Sequence, residues 1–199
     1  MVDMLNYQNI DVDELSTAEI LEKIIDSSSE TFDFWQSPYG WAPPNVANML
    51  SVARLDWLFS LTECLKIWVS KDITITDGEL LLARANLGSL VEGWLKLFYC
   101  VFYNDYDNSD NKYYAYKKGI KTAPIKPPNL SFEQLRQFSN DILWDKGDGW
   151  NEWVKSVQRK RNAIHSFNDK DIGTCEEFIS DVRKFYSFIK MIIFLLPRE

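Results

Sequence analysis

Residues 150–167 read WNEWVKSVQRKRNAIHSF and combine a helical pattern with the only histidine of the 199-residue chain. Successive residues of an α-helix turn by about 100°, so residues three and four apart share one face. In this stretch the shared face gathers the apolar residues Trp150, Trp153, Val154, Val157 and Ile164. We therefore predict a helix over about 150–165 that buries this face against other helices.

The end of this predicted helix holds the candidate catalytic residues. Around the helix axis, Arg161 lies about 40° and His165 about 80° from Val157, so the two side chains are one turn apart. Asn162 lies about 60° beyond His165 and can reach the same patch. A guanidinium binds and stabilises a phosphate, and an imidazole transfers protons near neutral pH. Together these groups suffice for attack of an RNA 2′-hydroxyl on its own 3′-phosphate.

Two more cations precede this group. Arg159 points roughly opposite the apolar face and is expected to lie in solvent in a monomer, whereas Lys160 flanks the apolar face on its other side. The alternative to catalysis is structural. Arg161 would then pair with an Asp or Glu, and His165 would end the helix, where its cation meets the helix dipole.

The rest of the chain predicts further helices. The capping boxes Ser16–Glu19, Ser131–Gln134 and Thr174–Glu177 mark three helix starts, while Asn45 and either Thr76 or Asp77 can cap two more. The predicted helices cover about 17–28, 46–70, 78–104, 132–144, 150–165 and 175–196. No strands are predicted to pair, so the fold class is all-α, a bundle of five to six helices in one domain, 1–199.

Two details of these helices affect packing. Trp57 and Leu61 belong to the apolar stripe of the helix predicted over 46–70. Gly88 and Gly93 lie inside the next helix, where glycine lowers helix propensity but lets another helix approach closely.

The segments between the helices are predicted to be irregular, including residues 1–15, the aromatic loop 30–44 and the connector 71–76. The longest is 105–130, where residues 111–132 contain no Asp or Glu. Lysines for phosphates and tyrosines for base stacking suit single-stranded RNA, and the alternative is a solvated flexible loop. The candidate RNA-binding residues are Lys160 together with Lys112, Tyr113, Tyr114, Tyr116, Lys117, Lys118 and Lys121.

Composition narrows the class of protein. The chain is 46% hydrophobic and holds eight Trp, nine Tyr and twelve Phe, which is enough for a core and argues against disorder. Its formal net charge of -7 means that any polyanion site must be a local basic patch. The three cysteines are far apart, which favours reduced thiols in a cytoplasmic protein. The N-terminus lacks the pattern of a signal peptide, and charges interrupt the last apolar helix, so no membrane span is predicted.

Other chemistries find little support in the residues. One histidine cannot form a zinc cluster, and the cysteines lack ligand spacing, so no metal site and no cofactor are predicted. There is no glycine-rich phosphate loop and no defensible Ser/His/Asp arrangement.

An Arg followed at short spacing by His, placed before the last long helix of an all-α chain, resembles the HEPN-domain proteins. The resemblance implies a HEPN-like helical bundle and a metal-independent endoribonuclease in a toxin–antitoxin or anti-phage defence system. It further implies a homodimer whose two sites form one RNA-cleaving cleft, and a cognate antitoxin or defence partner. The family pattern places four to six residues between Arg and His. Arg159 fits that spacing, whereas Arg161 is followed by the polar residue that the family favours.

Three functions remain open from the sequence. The first is a HEPN-type endoribonuclease that uses Arg161, His165 and Asn162, with Arg159 as the second candidate for the arginine. The second is a HEPN-like bundle that binds RNA, a nucleotide or a partner protein without catalysis. The third is a structural or regulatory helical protein, in which His165 would be buried and hydrogen-bonded.

Overall fold

The computed structural model describes residues 14–140, 142–165, 167 and 169–197. Its α-helices are α1 (Thr17–Trp35), α2 (Pro44–Leu50), α3 (Leu55–Glu63), α4 (Leu65–Val69), α5 (Asp77–Val101), α6 (Tyr103–Asn108), α7 (Phe132–Ser139), α8 (Trp150–Arg161) and α9 (Cys175–Leu195). Short 3₁₀ helices cover Asp72–Thr74, Pro127–Asn129 and Asn162–His165. The described part is mostly helical, as predicted. Of the segment 1–15 predicted to be irregular, residues 1–13 lie outside the described residues.

Three helices begin where the capping patterns predict. The Ser16 hydroxyl accepts a hydrogen bond from the Glu19 amide at 3.3 Å, and the Ser16 amide donates to the Glu19 carboxylate at 2.8 Å. Ser131 and Gln134 form the same reciprocal pair at the start of α7. Thr174 accepts from the Glu177 amide at the start of α9. These contacts join residues three apart, so they depend only on the local sequence.

Helix α1 is longer than predicted. It does not end near residue 28, because Ser28, Phe32 and Trp35 are buried on its core face and the helix continues through Ser27, Ser28 and Ser29 to Trp35. Tertiary packing outweighs the weak helix propensity of the serines here.

The prediction of a single helix over residues 46–70 is wrong. The chain forms α2, α3 and α4, and Pro43 is the N-cap of α2 in place of Asn45. Helix α3 turns Leu55 inward, and Trp57 and Leu61 of the predicted apolar stripe are 60% and 36% exposed.

Helix α5 lies at the centre of the bundle, and its contacts show in which direction α1 and α9 run. Phe32 near the end of α1 packs against Trp94 in the second half of α5, with ring centroids 5.0 Å apart. Arg84 in the first half of α5 binds Asp181 near the start of α9. Trp35 at the end of α1 and Leu196 after the end of α9 line one groove, so α5 and α9 run in one direction.

Helix α1 runs the same way, because Glu22 near its start pairs with Lys66 of α4, and Lys71 just after α4 pairs with Glu79 at the start of α5. Helix α8 runs the opposite way.

The direction of α8 follows from its contacts with α9. Lys160 near the end of α8 binds Glu177 near the start of α9. Trp150 at the start of α8 packs near Phe188, with ring centroids 6.0 Å apart. The end of α8 therefore lies beside the first half of α9.

Residues 105–130 contain a helix end, two paired strands and a 3₁₀ helix, which corrects the prediction of an irregular loop without paired strands. Strands β1 (Tyr114–Lys117) and β2 (Ile120–Pro124) form an antiparallel hairpin. Lys118 and Gly119 between them have φ values of 51° and 79°, as a type I′ turn requires. The Tyr106 hydroxyl donates to the Ile125 carbonyl at 2.8 Å and ties the hairpin to α6.

No helix in the described ranges is both long enough and apolar enough to cross a membrane.

Candidate functional site

The end of α8 differs from the continuous helix that was predicted. Helix α8 ends at Arg161, and Asn162–His165 form a 3₁₀ helix. A 3₁₀ helix turns about 120° per residue, so His165 lies about 120° around the axis from Arg161 instead of about 40°. Ala163 is buried, whereas Ile164, expected on the buried face, is 40% exposed. His165 is exposed as well.

Arg161 is held against α5 along its whole side chain. Its Cβ and Cγ lie beside Gly88, in the space that a Cβ at residue 88 would occupy. One terminal nitrogen, Nη2, lies 3.2 Å from the Glu92 carboxylate, and the other, Nη1, donates to the Asn162 side-chain oxygen at 3.0 Å. The side chain is 29% exposed. The guanidinium is therefore oriented and keeps part of its surface toward solvent.

Glu92 is a residue of this site that sequence reasoning missed. Its carboxylate also lies 2.8 Å from the Lys96 ammonium, and its side chain is only 14% exposed. The sequence did contain a sign of this site in Gly88, Glu92 and Lys96. Their spacing of four residues places a position without a side chain, a carboxylate and an ammonium on one face of α5. The close approach predicted at Gly88 and Gly93 is confirmed, since Arg161 lies against the first and Leu58 against the second.

Lys160 faces away from this group. Its ammonium lies 3.0 Å from the Glu177 carboxylate and 3.4 Å from Asp181, and its side chain is 12% exposed. The Lys160 ammonium lowers the pKa of the Glu177 carboxyl below its usual value. The structure therefore places Lys160 in an ion-pair network between α8 and α9. This network lies on a different side of α8 from Arg161, the candidate phosphate-binding residue.

Arg84 is the centre of that network. It is only 2% exposed, and its guanidinium donates to the carbonyls of Ile172 and Thr174 at 2.9 Å and 3.3 Å and to the Asp181 carboxylate at 2.5 Å. The Trp153 indole donates to the other Asp181 oxygen at 2.9 Å. These contacts satisfy the buried charges and join α5, α8 and α9, as buried ion pairs require.

Arg159 and His165 are both exposed. Arg159 points into solvent as predicted, and neither side chain forms an ion pair with a described residue. The two candidate arginines thus differ, because Arg161 is partly neutralised by Glu92 and Arg159 keeps its full charge toward solvent.

The hairpin presents part of the predicted RNA-binding set. Tyr116 is 67% exposed, and Lys117, Lys118 and Lys121 are exposed as well. The Lys121 ammonium lies 3.5 Å from the ring centroid of Tyr114, a cation–π contact. Lys112 and Tyr113 are engaged internally: Lys112 donates to the Asp107 carbonyl, and the Tyr113 hydroxyl donates to Gln137 at 3.0 Å.

The structure does not bring the hairpin beside His165. Tyr113 connects the hairpin to Gln137 of α7, and the neighbouring Arg136 donates to Asn151 at the start of α8. Arg161 lies ten residues further along α8, a rise of about 15 Å. A ligand that contacts both groups must extend along the protein.

No family model, no curated protein and no solved structure matches this chain. Within the ranges that the structure describes, no cluster of three or more His, Cys, Asp or Glu side chains is arranged to hold a metal ion.

Proposed function

We propose that the protein binds single-stranded RNA at the end of α8 and cleaves it without a metal, in the manner of a HEPN-type endoribonuclease. One observation carries the proposal: an exposed imidazole, His165, lies four residues after a guanidinium that Glu92 and Asn162 hold in place. The resemblance adds the proposed context, a cytoplasmic toxin or anti-phage defence protein with a cognate partner.

The proposed step needs no group beyond these side chains, RNA and water. His165 takes the proton of a ribose 2′-hydroxyl, and the 2′-oxygen then forms a bond to the adjacent phosphorus. The bond from phosphorus to the 5′-oxygen breaks, and the 5′-oxygen takes a proton from water. The hydroxide that remains takes the proton from His165, which restores the neutral imidazole. The products are a 2′,3′-cyclic phosphate and a 5′-hydroxyl. An arginine stabilises the charge on the phosphate during this exchange.

Both arginines can serve in this role. Arg161 is positioned, and its contacts to Glu92 and Asn162 leave guanidinium donors free for a phosphate oxygen. Arg159 is exposed and has the spacing to His165 that the HEPN family favours. Lys117, Lys118, Lys121 and Tyr116 would hold a more distant part of the same RNA strand.

The test is cleavage of an end-labelled single-stranded RNA by the purified full-length protein in EDTA. His165→Ala is expected to slow cleavage by a factor of about 100 or more, as for the loss of a general base. Arg161→Ala and Arg159→Ala separate the two candidate arginines. Arg54→Ala is the matched control, since Arg54 is a half-exposed arginine paired with Asp56 on another surface.

Two results would decide against this proposal. Cleavage that His165→Ala leaves unchanged would show that the activity does not use this site. Products that end in a 3′-hydroxyl, seen by mass spectrometry, would exclude attack by the 2′-hydroxyl.

The Glu92–Arg161 ion pair favours a second candidate, RNA binding without cleavage. A carboxylate that neutralises the positioned guanidinium reduces its capacity to stabilise a charged transition state. This candidate predicts RNA binding that weakens steeply as salt is raised, with the RNA recovered intact after long incubation.

A further inference from the structure

A groove lies between the last turn of α1 and the last turn of α9. Its walls are formed by Phe34 and Trp35 on one side and by Ile193, Leu196 and Pro197 on the other. The groove has a volume of about 290 Å³. That is at the lower limit for sites of small organic ligands, about 300 to 1,000 Å³, and suits an inserted amino-acid side chain better than a cofactor.

The edge of this groove is acidic. Glu30 is part of its lining, and Asp26 and Asp33 lie about one turn before and after it on the exposed side of α1. None of the three carboxylates forms an ion pair with a described residue. An apolar groove with such an edge fits an apolar side chain that is flanked by cations, and it repels RNA.

The tip of the β1–β2 hairpin has this complementary chemistry. Ile120 is 71% exposed, and it pairs directly across the hairpin with Lys117. Lys118 follows in the turn and is also exposed. Tyr116 and Lys121 form the next cross-strand pair and, by strand alternation, lie on the opposite face of the hairpin. Ile120 thus lies on the face opposite to Tyr116 and Lys121, whereas Lys117 and Lys118 belong both to the hairpin tip and to the residues proposed to hold RNA.

The groove and the hairpin lie at the same end of the bundle. The groove is at the ends of α1 and α9. The hairpin is joined by Tyr113 to Gln137 of α7, and α7 is joined by Arg136 to Asn151 at the start of α8. The neighbouring Trp150 packs near Phe188 in the second half of α9. Ile120 is exposed in the isolated chain, so the hairpin does not fill the groove of its own chain.

We infer that the groove receives the hairpin tip of a second copy of this chain. Ile120 of one copy packs against Phe34, Ile193 and Pro197 of the other, the groove residues that keep exposed surface. Lys117 and Lys118 then lie against the acidic edge formed by Glu30 and Asp33. When two copies face each other at this end, each hairpin tip binds the groove of the other copy. The two contacts are related by one twofold axis, so the assembly is a closed dimer.

This dimer differs from the one that the HEPN resemblance implies. His165 follows the end of α8, which runs opposite to α1, α5 and α9, so the two His165 side chains lie away from the interface. The inference is independent of the proposed nuclease activity, and its test requires no RNA.

The experiment is sedimentation of the full-length protein over a concentration series. The wild-type chain is expected to form dimers, and Ile120→Asp is expected to raise the dimer dissociation constant at least about tenfold. Ile73→Asp is the matched control, since Ile73 is 77% exposed on another segment, and it should leave the dimer unchanged.

A charge exchange makes the test specific for these two surfaces. Lys117→Glu with Lys118→Glu, and separately Glu30→Lys with Asp33→Lys, should each give monomers, because hairpin and groove then carry like charges. Mixing the two variants should restore a dimer of one chain of each kind, since every hairpin then meets a groove of opposite charge.

Three outcomes would overturn the inference. The first is a wild-type chain that stays monomeric up to about 0.1 mM. The second is a dimer that Ile120→Asp does not weaken. The third is a failure of the mixed variants to associate although each is folded by circular dichroism. If Ile120→Asp keeps the wild-type sedimentation but loses RNA binding, the hairpin tip serves RNA instead.

Discussion

The Cβ and Cγ of Arg161 on α8 occupy the space above Gly88 on α5, so the two helices meet where one has no side chain. The contact fixes the start of the Arg161 side chain, and Glu92 one turn further along α5 fixes its end. Packing and charge on a single face of α5 therefore position the candidate phosphate-binding group.

Gly88→Ala should destabilise the protein. The added methyl group overlaps Arg161 close to the backbone of α8, so the helices must separate, and overpacking of this kind costs about 1–3 kcal/mol in the free energy of unfolding. Gly78→Ala is the matched control on the same helix, because a Cβ there meets no atom within 4 Å. It should leave stability equal or raise it by up to about 1 kcal/mol. Urea denaturation measures both, and equal stability of the two variants would contradict the close contact.

Glu92→Gln should strengthen RNA binding by a factor of about two to five, since it removes the carboxylate that partly neutralises Arg161 and Lys96. Fluorescence anisotropy with a labelled single-stranded RNA measures the change. Glu22→Gln is the control, because Glu22 pairs with Lys66 at the same 3.2 Å on another surface. If both variants bind RNA equally, general charge accounts for the effect and Arg161 does not contact the RNA.

Arg84→Met should lower the free energy of unfolding by about 3–5 kcal/mol, since it leaves partners of a buried cation unpaired between α5 and α9. Arg54→Met removes an arginine from an ion pair in which both side chains are more than half exposed, and it should change stability by less than about 1 kcal/mol. Thermal and urea denaturation compare the two variants. A loss at Arg84 no larger than at Arg54 would show that the network contributes little to the fold.

Stability should fall as the pH is lowered from about 5 toward 2. Lys71 and the Thr76 cap lower the pKa of Glu79 to about 2, while Lys160 lowers that of Glu177 and Arg136 that of Glu133. Each folded-state pKa lies below the unfolded value of about 4.3, so the stabilisation is present above that pH and is lost as pH falls through the folded pKa.

Glu79→Gln tests the sign of this dependence. The stability difference between the wild-type chain and Glu79→Gln should shrink between pH 5 and pH 2, measured by urea denaturation at each pH. A Glu79→Gln difference that is constant over this range would contradict the lowered pKa of Glu79.

Which side chains at the end of α8 are exposed to solvent could be predicted only in part. The outward direction of Arg159 follows from the helical period, because it depends on one helix. The relation between Arg161 and His165 did not follow, since the period was assumed to continue through residue 165. The chain instead tightens into a 3₁₀ helix after Arg161, which rotates His165 and exposes Ile164.

The sequence by itself determined where α1, α7 and α9 begin. The reciprocal hydrogen bonds of Ser16 with Glu19 and of Ser131 with Gln134 join neighbours along the chain, so no other part of the protein is needed to form them. The Lys118-Gly119 turn of the hairpin is equally local, although it was missed in the sequence.

Only the tertiary structure decided where helices end and which charges pair. Helix α1 continues through its serines because its far end packs on α5. Glu92 meets Arg161 across 69 positions of the chain, and Lys160 meets Glu177 across 17. Such pairs form only when the helices pack with particular faces together. How the helices pack depends on the apolar residues of all of them, so no local stretch of sequence predicts these pairs.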